Sequence, residues 1–229
     1  VSGYTNFHEV LGPGNLASDL ALSAFLSGIP LYRQVLGKGN EEAFKIVELL
    51  QTLTDMRIFQ AQQQLVALPF SNGPAFEAYL RTFLTLCFEP HYENLSIREQ
   101  VPNRGRLRIR DFIIVNNESS SPFLRSLKTK GADFLLFDAK NYAEPLTTRE
   151  IDTFRQYLHN NPSFGNFGVI LSRKGASEHC QESIFRELPT IKIVVLNEDD
   201  LLLMLEHAGT GRSAVAILEE KYNELMLQL

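Results

Sequence analysis

The sequence predicts an α/β fold, with helices packed on both faces of a mixed sheet and a helical extension ahead of it. Three observations predict this. The segment Arg106–Val115 is apolar except at Asp111 on one face and at its arginines on the other, and Phe134–Lys140 is apolar on both faces except at Asp138 and Lys140. Side chains alternate with period two along a strand, and a strand apolar on both sides is central and covered on both sides. From residue 73 onward, strand-like and helix-like patterns alternate, which is the mark of a layered α/β domain. The breaks between them carry good capping residues and turn formers.

Residues 1–14 carry Gly and Pro without a period and read as a loop or arm. Asn15 is a good N-cap for a short helix through Ser27, and Gly28-Ile-Pro30 breaks it. Leu31–Leu36 reads as one further helical turn, ended by Gly37-Lys-Gly39. Asn40 caps a long helix through about Leu68, with Glu41 and Glu42 where the helix dipole favours them. Its apolar residues Phe44, Val47, Leu50, Leu53, Ile58 and Leu65 fall near helical spacing. The stretch Pro69–Pro74, with Asn72-Gly73, is the strongest boundary signal, so the chain divides into an extension, 1–70, and a main domain, 71–229.

In the main domain, Ala75–Phe88 is a helix with Phe76, Leu80, Phe83, Leu84 and Cys87 inward. Tyr92–Gln100 reads as a strand, and Asn103-Arg-Gly105 as a turn into the strand ending at Val115. Glu118–Pro122 opens a short helix to Lys130, which Gly131 ends. After the strand Phe134–Lys140, Thr147 and Glu150 form a capping box for a helix through Leu158. Phe167–Ser172 is a strand, Ser177–Leu188 a helix and Ile191–Leu196 a strand. Asn197 caps a helix to about His207, and Ser213 to about Leu227 is the last helix.

Composition narrows the class. With 44% apolar residues in 229, there is ample material for a core. Cys87 and Cys180 lie in apolar or helical segments and read as small buried hydrophobes in a reducing cytosol, so a cytoplasmic location is expected. No Cys/His cluster has zinc-ligand spacing. No apolar run approaches about 18 residues, so no membrane span is expected. The chain begins with Val and has no signal-peptide pattern, which reads as a fragment of a longer protein. A net charge of −5 argues against a non-specific nucleic-acid coat, but the distribution is uneven. Arg98–Lys130 holds eight Lys/Arg against three Asp/Glu, whereas Ile193–Leu229 holds two against seven. A nucleic-acid face, if present, lies beside the central strands; the alternative is two ordinary solvated faces.

The polar exceptions on the apolar strands carry the functional signal. Asp111 is the only polar residue on the face shared by Leu107, Ile109, Ile113 and Val115. Asp138 and Lys140 share a face with Phe134 and Leu136. Carboxylates and ammonium groups are almost never fully buried unless paired or bound to a metal. The purely structural alternatives are an Asp138–Lys140 ion pair and a strand-end turn held by Asp111.

An Asp, then 27 positions later Asp-x-Lys at the end of a strand, resembles the PD-(D/E)XK nuclease superfamily. The segments RDFIIVNN and LLFDAKNY, then a helix and FGVILSR, resemble the branch that includes Mrr-type restriction endonucleases. The resemblance spans about Gly73–Leu205. It implies a restriction-endonuclease-like α/β/α sandwich and a Mg²⁺-dependent DNA endonuclease, with Mn²⁺ substituting, of restriction-like or defence role. It also implies a homodimer, since cutting both strands takes two sites, or membership of a larger multidomain protein. Asp111, Asp138 and the carbonyl of Ala139 would hold the metal, and Lys140 would orient or deprotonate the attacking water. Glu77 occupies the place of an acidic helix residue of the family, and Gln156 that of a glutamine that follows the motif; the alternative for both is an exposed helix position. Asn141 and Tyr142 would support the active strand or touch the sugar–phosphate backbone. Arg106, Arg108, Arg110 and Arg173 are candidate phosphate contacts, with a solvated edge or pairing to nearby acids as the alternative. Arg stands where the family has Pro before its first Asp, and Asp138 where Mrr-like relatives usually have Glu. His91, His159, His179 and His207 do not cluster in sequence and take no catalytic role. The alternative function is a catalytically inactive nuclease-like module that binds nucleic acid or protein; a third reading is an unrelated α/β protein whose aspartates point apart.

Overall fold

A computed structural model describes residues 41–102, 109–117, 119–188 and 190–228. The helices expected before residue 37, the turn at 103–105, Arg106 and Arg108 lie outside the described residues. The first described helix, α1 (Glu41–Ala67), is followed by α2 (Gly73–Phe88), a single 3₁₀ turn at Glu89–His91, and strands β1 (Ile97–Pro102) and β2 (Ile109–Val115). Then come α3 (Pro122–Thr129), β3 (Phe134–Lys140), α4 (Thr148–His159), β4 (Phe167–Ser172), α5 (Glu178–Glu187), β5 (Lys192–Leu196), α6 (Glu198–Gly209) and α7 (Val215–Met226).

The five described strands lie in sequence order in one mixed sheet. β1, β2 and β3 are antiparallel neighbours, while β3, β4 and β5 run parallel. Each parallel step is bridged by a helix, as such crossovers require. β4 is buried at all six positions, as its unbroken apolar sequence demands.

The alternation of β3 sorts the helices into two layers. Phe137 meets Phe88 of α2 edge to face, with ring centroids 5.4 Å apart. On that same side, Phe167 of β4 packs on Phe123 of α3 and Tyr222 of α7. The opposite side carries Leu136, Asp138 and Lys140, and it faces α4. Gly168, paired with Leu136, explains how closely α4 lies: a Cβ there would come within 2.7 Å of the Phe154 ring and 3.0 Å of Leu158. The architecture is an α/β/α sandwich with a helical extension, as expected.

Local signals hold at the helix starts. Asn72, Ser121, Ser177 and Asn197 each accept from the backbone N–H three residues on, and the Thr147/Glu150 capping box is formed. Cys87 and Cys180 are buried and unpaired. The strand expected at Tyr92–Gln100 begins later, at Ile97. Pro90 sets a 3₁₀ turn, and Tyr92 is used as a plug: its hydroxyl donates to Asn116 Oδ1 (2.9 Å) while Asn116 donates to the carbonyls of Leu124 and Ala132. An aromatic residue with strand propensity is here drawn out of the sheet by a buried hydrogen-bond network.

α1 packs Ile58, Ala61 and Leu65 inward, against α2 and α6. Leu49, Leu53, Met56, Phe59 and Val66 are exposed, so Leu53 faces away from the core it was expected to join. The α1–α2 connection is held by the ends of β3 and β4. Asn141 donates through Nδ2 to the carbonyls of Pro69 (2.9 Å) and Asn72 (3.1 Å), and its own carbonyl accepts from Ser71 N–H (2.7 Å). Arg173 donates to the Leu68 carbonyl and stacks over Phe70, 4.1 Å from its centroid.

The close approach at Gly168 gives a direct test. Gly168→Val forces Phe154 and Leu158 apart, and overpacking of this kind costs about 1–3 kcal/mol. The expected outcome is a lower midpoint of thermal unfolding; an unchanged midpoint would show that α4 can ride outward freely.

Candidate active site

The site forms where the last residues of β3 meet the start of β2. At this end the ladder closes on the pair Phe112↔Phe137, and one further step in the same register sets Asp111 opposite Asp138 on the face turned toward α4. Directly opposed side chains in an antiparallel pair lie about 5 Å apart at Cβ, close enough for carboxyl groups to meet. The Asp138 carboxylate is near enough to act electrostatically on Asp111. Asp111 Oδ2 also accepts from the backbone N–H of Ala139 (2.7 Å). Lys140 reaches back along its own strand, placing Nζ 2.5 Å from Asp138 Oδ2 and 3.3 Å from the Ala139 carbonyl oxygen.

The electrostatics follow from burial and like charge. Asp138 is only 7% exposed. Burial, and then the neighbouring Asp138 carboxylate, push the Asp111 pKa up to about 6, against the pull of the Ala139 amide and Lys140. Burial alone would lower the Lys140 pKa, but Asp138 outweighs it and the net shift is upward. Two acids and one cation at the end of two apolar strands leave a surplus of negative charge.

The other expected residues are placed as follows. Glu77, on α2, accepts from Gln100 Nε2 (3.1 Å), and the β1–β2 register sets Gln100 opposite Asp111. Glu77 is thus joined to the strand end through Gln100, a residue the sequence did not single out. Ala139 supplies its N–H to Asp111 and its carbonyl to Lys140. Asn141 is buried and holds the α1–α2 connection, leaving Oδ1 unpartnered. Tyr142 is 43% exposed and borders the site. Arg110 lies in β2, in register with Val101. Arg173 is buried, its guanidinium engaged by Glu198, the Leu68 carbonyl and the Phe70 ring, so it forms part of the scaffold and not of an open phosphate-binding face.

A cleft opens between the end of β3 and α4, lined by Asp138, Lys140, Tyr142, Arg149, Thr153 and Tyr157. Gln156 is exposed and is not among its lining residues. The helical period explains this. With Ile151, Phe154 and Leu158 buried, the positions Arg149, Thr153 and Tyr157, four apart, form the flank toward the site, and Gln156 falls outside that row. That row was readable in the sequence from the spacing alone.

Among the described residues, no group of three or more His, Cys, Asp or Glu side chains could hold a metal ion. The site offers two carboxylates and one main-chain carbonyl. Among the described residues, no helix is long and apolar enough to cross a membrane. No family model, curated protein or solved structure matches the chain. The class that fold and site define is therefore an α/β/α sandwich with a buried two-carboxylate, one-lysine centre at a strand end.

The raised Asp111 pKa makes stability depend on pH in metal-free buffer with a definite sign. The unfolded carboxyl titrates near 4 and the folded one at about 6. The stabilisation from holding Asp111 protonated is fully present below about 4 and is lost as pH rises through about 6. Thermal unfolding in chelator should show the wild type losing stability relative to Asp111→Asn over that window. A difference independent of pH would mean that neither burial nor the Asp138 carboxylate raises the Asp111 pKa in the folded chain.

Proposed function

We propose that this chain is a Mg²⁺-dependent DNA endonuclease domain of restriction-endonuclease-like fold, served by Mn²⁺ as well, and that it acts in the cytoplasm in a restriction-like or defence role. The observation that carries the reading is the β2–β3 register that sets Asp111 opposite Asp138, with Lys140 on the same face and paired to Asp138. The surrounding order agrees with the motif that prompted it. An Asp lies on one strand, Asp-x-Lys ends the adjacent strand, and a helix and a parallel strand follow.

The residues fit a hard divalent cation. Mg²⁺ is commonly held by one or two carboxylates, with water and phosphate oxygens completing the shell. Asp111 and Asp138 would hold it, with the Ala139 carbonyl as the third protein oxygen. Burial raises the cost of two adjacent negative charges, and a cation removes that cost. When bound, the ion would make hydroxide accessible near neutral pH and neutralise charge on the scissile phosphate. Lys140 now lies between Asp138 and the Ala139 carbonyl, among the oxygens a metal would use. In the working site its ammonium would turn to the attacking water or the non-bridging phosphate oxygens. Glu77, through Gln100, would steady the strand end opposite Asp111. Arg106, Arg108 and Arg110 would contribute phosphate contacts beside the central strands. A dimer would supply the second site that cutting both strands requires.

One observation favours a second reading. The Asp138–Lys140 pair, with only two acids present, is also what a non-cleaving nuclease-like binding module would retain as a structural ion pair. Cleavage of supercoiled plasmid separates the two. Wild type with Mg²⁺ or Mn²⁺ should nick or linearise the plasmid, and EDTA should stop it. Asp138→Ala and Lys140→Ala should each lower the rate by about 100-fold or more, the scale of losing one charge-stabilising group. Unchanged cleavage by both variants, or no cleavage together with no calorimetric Mn²⁺ binding, would remove the nuclease reading.

A further inference from the structure

The cleft beside the carboxylates is built for something with both a phosphate and a flat ring. Its floor is the face of β3 that carries Asp138 and Lys140, and its wall is the exposed row of α4. Tyr142, two residues beyond Lys140, stands at the mouth with 43% of its surface exposed. Arg149 enters from the first turn of α4. It is exposed, and the Glu150 carboxylate beside it acts on it electrostatically. Glu150, the acid of this turn, also lines the cleft, and its Oε2 is held by the capping box, accepting from Thr147 N–H (2.9 Å) and Thr147 Oγ1 (2.6 Å).

Resting on the nuclease reading, we propose that this cleft receives an unpaired nucleotide next to the scissile phosphate, so that the preferred substrate is single-stranded DNA or a frayed or looped-out segment of duplex. Arg149 holds the adjacent phosphate as a fork-shaped cation. Tyr142 stacks on the base. A base locked in a duplex has both faces covered by its neighbours, so only an unpaired base can present one to a tyrosine. The selectivity comes from ring contact and strand accessibility, and it is independent of base sequence because every base has a π-face. The chain's net charge of −5 fits a local cationic grip better than a broad basic groove wrapped on a duplex.

The test measures binding without cleavage. Fluorescence anisotropy in EDTA compares a labelled single-stranded oligonucleotide with its blunt duplex at low salt. The wild type should bind the single strand more tightly. Tyr142→Ala and Arg149→Gln should each weaken single-strand binding by about tenfold, a typical cost for one stacked base or one phosphate contact. They should weaken single-strand binding more than duplex binding, so that the wild type's preference for the single strand shrinks. Tyr142→Phe should keep single-strand affinity, since the ring does the stacking. Both side chains are exposed, so the variants should match the wild type in circular dichroism and thermal midpoint. Equal or tighter duplex binding, no binding to either probe, or wild-type single-strand affinity in Tyr142→Ala would overturn the proposal. Plasmid cleavage is read separately. A wild type that cleaves plasmid but shows no single-strand preference would lose this inference and keep the nuclease reading. Tyr142-dependent single-strand binding with no metal-dependent cleavage would keep the cleft and lose the nuclease.

Discussion

Two carboxyl groups set opposite each other at the ends of two interior strands are the constraint on which the rest of this structure turns. Asp111 and Asp138 are opposed because β2 and β3 are antiparallel and in a single register. A slip of β2 by one residue would send Asp111 to the other face, away from Asp138 and into the layer where Phe88 meets Phe137. The apolar alternation of the two strands fixes the register, and the register creates the repulsion. Packing energy thus holds together two groups that would otherwise separate. Such stored electrostatic cost is characteristic of sites that await a partner charge.

The supporting structure serves the same end of the sheet. Gly168 lets α4 settle close over β3 and β4, which brings the row Arg149, Thr153 and Tyr157 alongside Asp138 and Lys140. Asn141 and Arg173, at the ends of β3 and β4, both hold the connection between α1 and α2. The strand ends are therefore fixed from two sides, by a helix across one face and by a strap across the tip. A side chain whose backbone is fixed this way loses little further freedom when it engages a substrate.

Much of this was legible in the sequence because it rests on local or periodic signals. The strands β2 to β5 follow from continuous apolar runs, and α4 and α6 from their capping boxes. The convergence of Asp111, Asp138 and Lys140 was legible as well, because polar residues on apolar strand faces are costly unless they meet something. Residues whose partners are distant in sequence were not legible. Arg173 has the composition of a surface cation, yet its partners are a glutamate 25 residues later and a carbonyl 105 residues earlier. Tyr92 has strand propensity, but the buried Asn116 takes its hydroxyl. Gln156 was chosen by analogy of position, whereas the helical period turns Thr153 and Tyr157 toward the cleft.

The strap at residues 68–72 has a consequence for how the chain is divided. Its composition of Pro, Ser, Asn and Gly marks the clearest seam in the sequence. In three dimensions that seam is a rivet. The carbonyls of Leu68, Pro69 and Asn72 satisfy a buried guanidinium and a buried amide that have few other outlets. A chain cut at the seam would leave Arg173 and Asn141 short of acceptors and strip the cover from the inward faces of α2 and α6. The place where the sequence looks most divisible is where α1 is tied to the ends of β3 and β4.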